Sequence, residues 1–113
     1  MADKSIPDHH ITASSFYDAA VNAFYARYYF YARAHIEVGG GAWCPRAMIY
    51  DEGLEYLEVN LVKVHVVTKV EVQGRFGNGQ GREYAEKYKL QYYRPGMDHW
   101  VTYKDGRGNQ VRW

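Results

Sequence analysis

Residues 56–73 read YLEVNLVKVHVVTKVEVQ, and this stretch decides the fold class. Leu57, Val59 and Leu61 alternate with Glu58 and Asn60. Val62, Val64 and Val66 then alternate with Lys63 and His65 in the opposite parity, and Val70 and Val72 follow around Glu71. A period of two is the pattern of a half-buried strand, and β-branched residues suit that pleated surface. The change of parity between Leu61 and Val62 predicts a turn or bulge, because a slip of one residue would swap the buried face. Further along, Tyr84, Tyr88, Leu90 and Tyr92 share one parity, with Lys87, Lys89 and Gln91 on the other. Arg94-Pro95-Gly96 predicts a turn, Val101 and Tyr103 resume the alternation, and Asp105-Gly106 turns again. Short strands separated by turn signals predict an all-β sandwich or barrel over residues 54–104.

Towards the N-terminus the pattern changes. Residues 1–17 are polar and irregular, with an extended candidate at Ile11–Ser15. From Asp18 to Val38 the propensities favour helix, with alanines among aromatics, Asp18 as a cap and Gly39-Gly40-Gly41 as a stop. Inside it, Phe24-Tyr25-Ala26-Arg27 recurs as Phe30-Tyr31-Ala32-Arg33. That offset fits neither the helical nor the strand period, so a helix here would carry rings on several faces.

A chain of 113 residues supports one domain. With 47% hydrophobic and 24% charged residues it is globular rather than disordered. Twelve Tyr, four Phe and three Trp load a core or a contact surface with rings. A net charge of +1 without a basic run argues against nucleic acid as a partner. No apolar stretch is long enough to span a membrane, and MADKSIPDHH at the start does not have the form of a signal peptide. Cys44 is the sole cysteine, which leaves a small buried hydrophobe or a thiol whose partner lies elsewhere.

Catalytic chemistry is not signalled. The run Gly74-Arg75-Phe76-Gly77-Asn78-Gly79-Gln80-Gly81-Arg82-Glu83 is not a phosphate loop, since no Gly-Lys-Ser/Thr follows. It reads as a long β-loop that needs positive φ, or as a shaped rim presenting Arg75, Phe76 and Glu83. His9-His10 lacks a third ligand at a sensible spacing for a metal, and no cofactor motif is present. Asp51, Glu52, Glu55 and Glu58 read as a solvated face rather than an acid/base pair. Cys44, between Trp43 and Pro45, shows no activating base.

Several separated motifs carry a family resemblance. Ile6-Pro7-Asp8, Ile11-Thr12-Ala13-Ser14-Ser15 and Gly41-Ala42-Trp43-Cys44-Pro45 resemble the opening of the discoidin domain of discoidin domain receptors. Tyr56–Leu61, the glycine loop from Gln73 to Glu83, Tyr88–Tyr92, Trp100 and Lys104 continue in the family's order. Phe16-Tyr17-Asp18 and the glycine loop look most like the invertebrate members. The resemblance implies a discoidin-type jelly-roll β-sandwich, an extracellular setting, a membrane-anchored parent receptor with a tyrosine kinase, and recognition of triple-helical collagen. It further implies that Arg75 and Glu83 are the charged pair lining the collagen trench and that Tyr17 stands at a rim position. Cys44 matches a cysteine whose disulfide braces the trench floor. Residue by residue, Arg75 and Glu83 could instead simply pair across their loop, and Tyr17 could be core.

The resemblance skips residues 22–38, an aromatic-rich insert whose excess length matches the repeat offset, and Gly40 stands where an acidic residue is common. It also implies a domain continuing beyond Trp113, so that the sequence reads as a partial domain with its last strands missing. The alternatives are a carbohydrate- or phospholipid-binding discoidin-like module, or a truncated or engineered chain that binds nothing. Homodimerisation is a further possibility within the family.

Overall fold

The computed structural model describes residues 5–26, 41–49, 55–75, 77 and 80–111. All regular structure among them is short β-strand or 3-10 helix. The chain divides into two compact units, Met1–His65 with Gly74–Glu83, and Val66–Gln73 with Tyr84–Trp113.

The first unit is built on an antiparallel pair, β1 (Ile11–Ala13) and β2 (Leu57–Val59), in the register Ile11↔Val59, Thr12↔Glu58, Ala13↔Leu57. Backbone hydrogen bonds extend the pair at both ends, from Ser14 N to Tyr56 O at 3.0 Å and from Asn60 N to His10 O at 2.8 Å. Along β1 the side chains alternate as a strand requires: Ile11 is buried, Thr12 exposed, Ala13 half-buried. Among the described residues, Ile11, Val21 and Ala23 are the buried apolar ones.

The predicted helix from Asp18 is corrected over its described part. Two 3-10 helices stand there, Ala19–Val21 and Ala23–Ala26, the second packed against β1. Asp18 does cap, its carboxylate accepting the Ala20 N–H at 2.9 Å. Asn22, at φ −65° and ψ 164°, is extended and interrupts the helical path. Its side-chain oxygen also takes the Ala23 N–H, the local competition by which Asn disfavours helix interiors. The remainder of the predicted helix, and most of the insert, fall outside the described residues.

The parity change at Val62 is a turn. Val62 takes φ +68°, Lys63 N bonds Leu61 O at 2.7 Å, and Asn60 Oδ1 accepts the Val62 N–H at 2.8 Å. Beyond it the prediction of strands is corrected: no ladder forms among residues 62–73, and Val64 and Val66 are 70% and 89% exposed.

The second unit holds the hairpin of β3 (Gln91–Tyr92) and β4 (Val101–Thr102), with Gln91↔Thr102 and Tyr92↔Val101 as partners. Gln91 Nε2 donates to Thr102 Oγ1 across the pair at 3.2 Å. In the connecting loop Met97 N bonds Arg94 O at 3.2 Å, with Pro95 at the second position and Gly96 at φ +90° in the third. That is a type II turn, and both residue types are what it demands. A second turn follows at Asp105, whose carbonyl accepts the Gly108 N–H and whose Oδ1 accepts those of Arg107 and Asn109. These N–H groups, Asn109's first, hold the Asp105 carboxyl below its ordinary range.

Candidate functional site

The site lies wholly in the first unit, where three segments meet. The segment 42–46 is laid against residues 15–21 by hydrogen bonds that its own backbone and one indole supply. Trp43 Nε1 donates to Ser15 O at 2.7 Å, Cys44 N donates to Val21 O at 3.2 Å, and Tyr17 N donates to Cys44 O at 2.9 Å. A fourth bond, Arg46 N to Ser15 Oγ at 3.0 Å, fixes the far end. The glycine loop closes the third side. Its base is pinned by Arg75 N to Glu83 O at 2.9 Å, and Gln80 N bonds Gly77 O within it at 3.0 Å.

Between these segments is an open cleft of about 510 Å³ lined by Tyr17, Asp18, Ala20, Val21, Cys44, Pro45, Arg75 and Glu83. The volume is in the range of ordinary ligand pockets. All four residues singled out in the sequence, Tyr17, Cys44, Arg75 and Glu83, are therefore neighbours around one space. Of the other lining residues, Asp18 shows only a capping signal in the sequence, and it does cap, while Ala20 and Val21 carry no sequence signal beyond apolarity.

Tyr17 is 71% exposed, so it is a rim residue and not core. Arg75 Nη1 stands 3.5 Å from Glu83 Oε1, with the two side chains 31% and 62% exposed. At that separation and exposure the pair contributes little to stability. The Glu83 carboxyl sits below its ordinary range mainly because its own backbone N–H and that of Arg82 reach it, Arg75 adding less. The carboxylate is thus held chiefly by its own loop. Burial pushes the Cys44 thiol up from 9.0, against the pull of Arg75, so it is protonated at neutral pH and a poor nucleophile.

One carboxylate read as solvated has a different place. Glu55 Oε2 accepts both the Ser15 hydroxyl, at 2.8 Å, and the Ser14 hydroxyl, whose oxygen in turn accepts the Tyr56 N–H at 2.9 Å. Those two hydrogen bonds, Ser14's first, lower the Glu55 pKa. Among the described residues no cluster of His, Cys, Asp and Glu could hold a metal ion, and no helix is long and apolar enough to cross a membrane.

Comparison with known proteins agrees with the motifs. The chain is 42% identical over 105 residues to discoidin domain-containing receptor tyrosine kinase B of Caenorhabditis elegans, covering 93% of this chain and 12% of that protein. It is 41% identical over 109 residues to discoidin domain-containing receptor A of the same organism, 96% of this chain and 13% of that protein. To the human epithelial discoidin domain-containing receptor 1 it is 37% identical over 111 residues, 98% of this chain and 11% of the receptor. The chain thus spans only a small part of each relative. The model of the F5/8 type C domain, a β-sandwich fold, matches residues 10–112. With that match running through both strand pairs and every wall of the cleft, the chain belongs to the F5/8 type C, or discoidin, domain family.

Proposed function

We propose that this chain is the extracellular binding module of a discoidin domain receptor, that its ligand is triple-helical collagen, and that the ligand enters the cleft of Tyr17, Cys44, Arg75 and Glu83. The observation that carries this reading is the convergence on one cleft of residues from three separated segments, each nominated by its motif. Collagen is a rod with side chains projecting from three chains. A surface that grips it needs an apolar recess with charged groups beside it. Val21, Ala20 and Pro45 offer the recess, and Arg75, Glu83 and Asp18 the charges. In the same reading the two ladders are parts of a discoidin jelly roll, and the parent protein anchors the module to a membrane and carries the kinase. The module itself binds and does not catalyse.

The test is solid-phase binding to a triple-helical collagen peptide, comparing the parent with Arg75→Ala, Glu83→Ala and the double variant. Truncating one member of a pair desolvated by a ligand strands its partner, a loss of ~2–5 kcal/mol. The same truncation at a solvent-exposed rim loses only about 0–1 kcal/mol. Large, non-additive losses in folded single variants are expected. Unchanged binding in both singles would remove the pair from the site, and most of the argument for collagen with it.

A further inference from the structure

The cleft wall at Cys44–Pro45 has no regular secondary structure, so something else must hold it in place. Three of its four hydrogen bonds use backbone or indole groups that are set once the chain path is set. The fourth is different, because its acceptor is a hydroxyl that can rotate. Ser15 Oγ has one hydrogen and two lone pairs. With the hydrogen committed to Glu55 Oε2, a lone pair is left facing the Arg46 N–H. Ser14 gives the same carboxylate oxygen a second donor and ties it to the end of the β1–β2 pair through Tyr56 N. Glu55 is 40 positions from Ser15, and Ser15 is 31 from Arg46, so the link joins three remote parts of the chain.

We propose that Ser14, Ser15 and Glu55 form a clamp that positions the Cys44–Pro45 wall of the cleft by orienting the Ser15 hydroxyl towards Arg46. These are positioning residues: none lines the cleft, and Glu55 acts on it only through Ser15 and Arg46. Their effect on ligand binding rests on the function proposed above, but the clamp itself does not. Its clearest reporter is Cys44, half-buried in the wall, with a thiol that burial keeps protonated. Releasing the Arg46 end lets the wall open, wets the thiol and brings its pKa down, and all three raise its reactivity.

The experiment is alkylation of Cys44 by an uncharged maleimide in the folded chain at neutral pH, followed at several low urea concentrations. Ser15→Ala and Glu55→Ala are expected to accelerate labelling roughly three- to tenfold, the effect of one hydrogen bond, with little dependence on urea. Weak urea dependence marks local opening, whereas labelling through global unfolding rises steeply with denaturant. Ser15→Thr keeps a hydroxyl and should label at the parental rate. Should Glu55→Ala fail to fold, the Ser15→Ala and Ser15→Thr pair decides. Unchanged rates in the alanine variants would overturn the proposal, as would an acceleration that follows global unfolding and is not restored by threonine. Collagen-peptide binding measured on the same proteins separates the two readings. A clamp that governs labelling in a chain that binds no collagen stands while the function falls. Collagen binding with unaltered labelling is the reverse.

Discussion

Val62 is a β-branched residue at φ +68°, a conformation in which Cβ crowds the following carbonyl. It is 64% exposed, so its side chain gives little burial in return. Val62→Gly should therefore stabilise the chain by about 1 kcal/mol, since the relief of ~1–2 kcal/mol exceeds the entropy glycine adds to the unfolded state. A lower urea midpoint for the variant would refute this. Asp105 permits a prediction of the opposite kind. Its carboxyl is held below 3.8 in the folded chain by N–H groups, of which Asn109's leads. A depressed folded pKa adds stability that is complete above the unfolded value and is lost as pH falls through the folded one. Asp105→Asn should thus lower stability at neutral pH, and the gap to the parent should close in strong acid; a gap constant across pH would exclude the mechanism. These two residues also show what single positions disclose. The parity of the flanking apolar residues revealed the turn at Val62, and Asp-Gly marked the other, because both signals are local. The Glu55 clamp could not be read, because the serines that donate to that carboxylate lie 41 and 40 positions away in sequence.

At the scale of elements, the type II turn of Arg94–Met97 and the flanking hairpin were legible because Pro and Gly fix backbone angles wherever they stand. The stretch 62–73 was not. Alternation states which face of a strand is apolar, but a ladder needs a neighbour, and a neighbour is a tertiary fact. Over its described part the helix expected from Asp18 gives way to 3-10 turns, since alanine propensity is weak beside one extended Asn22. What remains of it can be tested through the repeat. Ala23–Ala26 packs on β1 and has the sequence Ala-Phe-Tyr-Ala. Excising Phe24–Tyr29 joins Ala23 to Phe30-Tyr31-Ala32-Arg33, which restores those residues in register. We expect the deletion to be neutral within ~0.5 kcal/mol, or stabilising through a shorter connection. A chain that unfolds on this excision would show that the stretch is structural and supports a core of its own.

For the molecule as a whole, the balance of buried and exposed apolar groups sets its behaviour in solution. Ile11, Val21 and Ala23 are the buried apolar residues, and none is a large side chain fully withdrawn from water among those described. Val62, Val64, Val66, Val67, Val70 and Val72 are meanwhile all exposed. Valines of high strand propensity on an uncovered surface invite pairing between chains. The sequence disclosed the apolar residues but not their exposure, since burial depends on what packs against them. Domain stability of roughly 5–15 kcal/mol is a small difference between large quantities, and the core is thin among the described residues. The chain should melt at low temperature and associate as its concentration rises. Val66 separates these two effects. At 89% exposure its side chain contributes almost nothing to the folded state, so Val66→Lys should shift stability by less than ~0.5 kcal/mol. The same substitution interrupts the valine-rich segment with a charge, as gatekeeper residues do beside aggregation-prone strands. Light scattering during heating should therefore begin later in the variant, while the denaturant midpoint at low protein concentration stays unchanged. A midpoint that falls by an amount typical of a core substitution would mean that Val66 is packed in solution. An unchanged scattering onset would mean that association proceeds through some other surface.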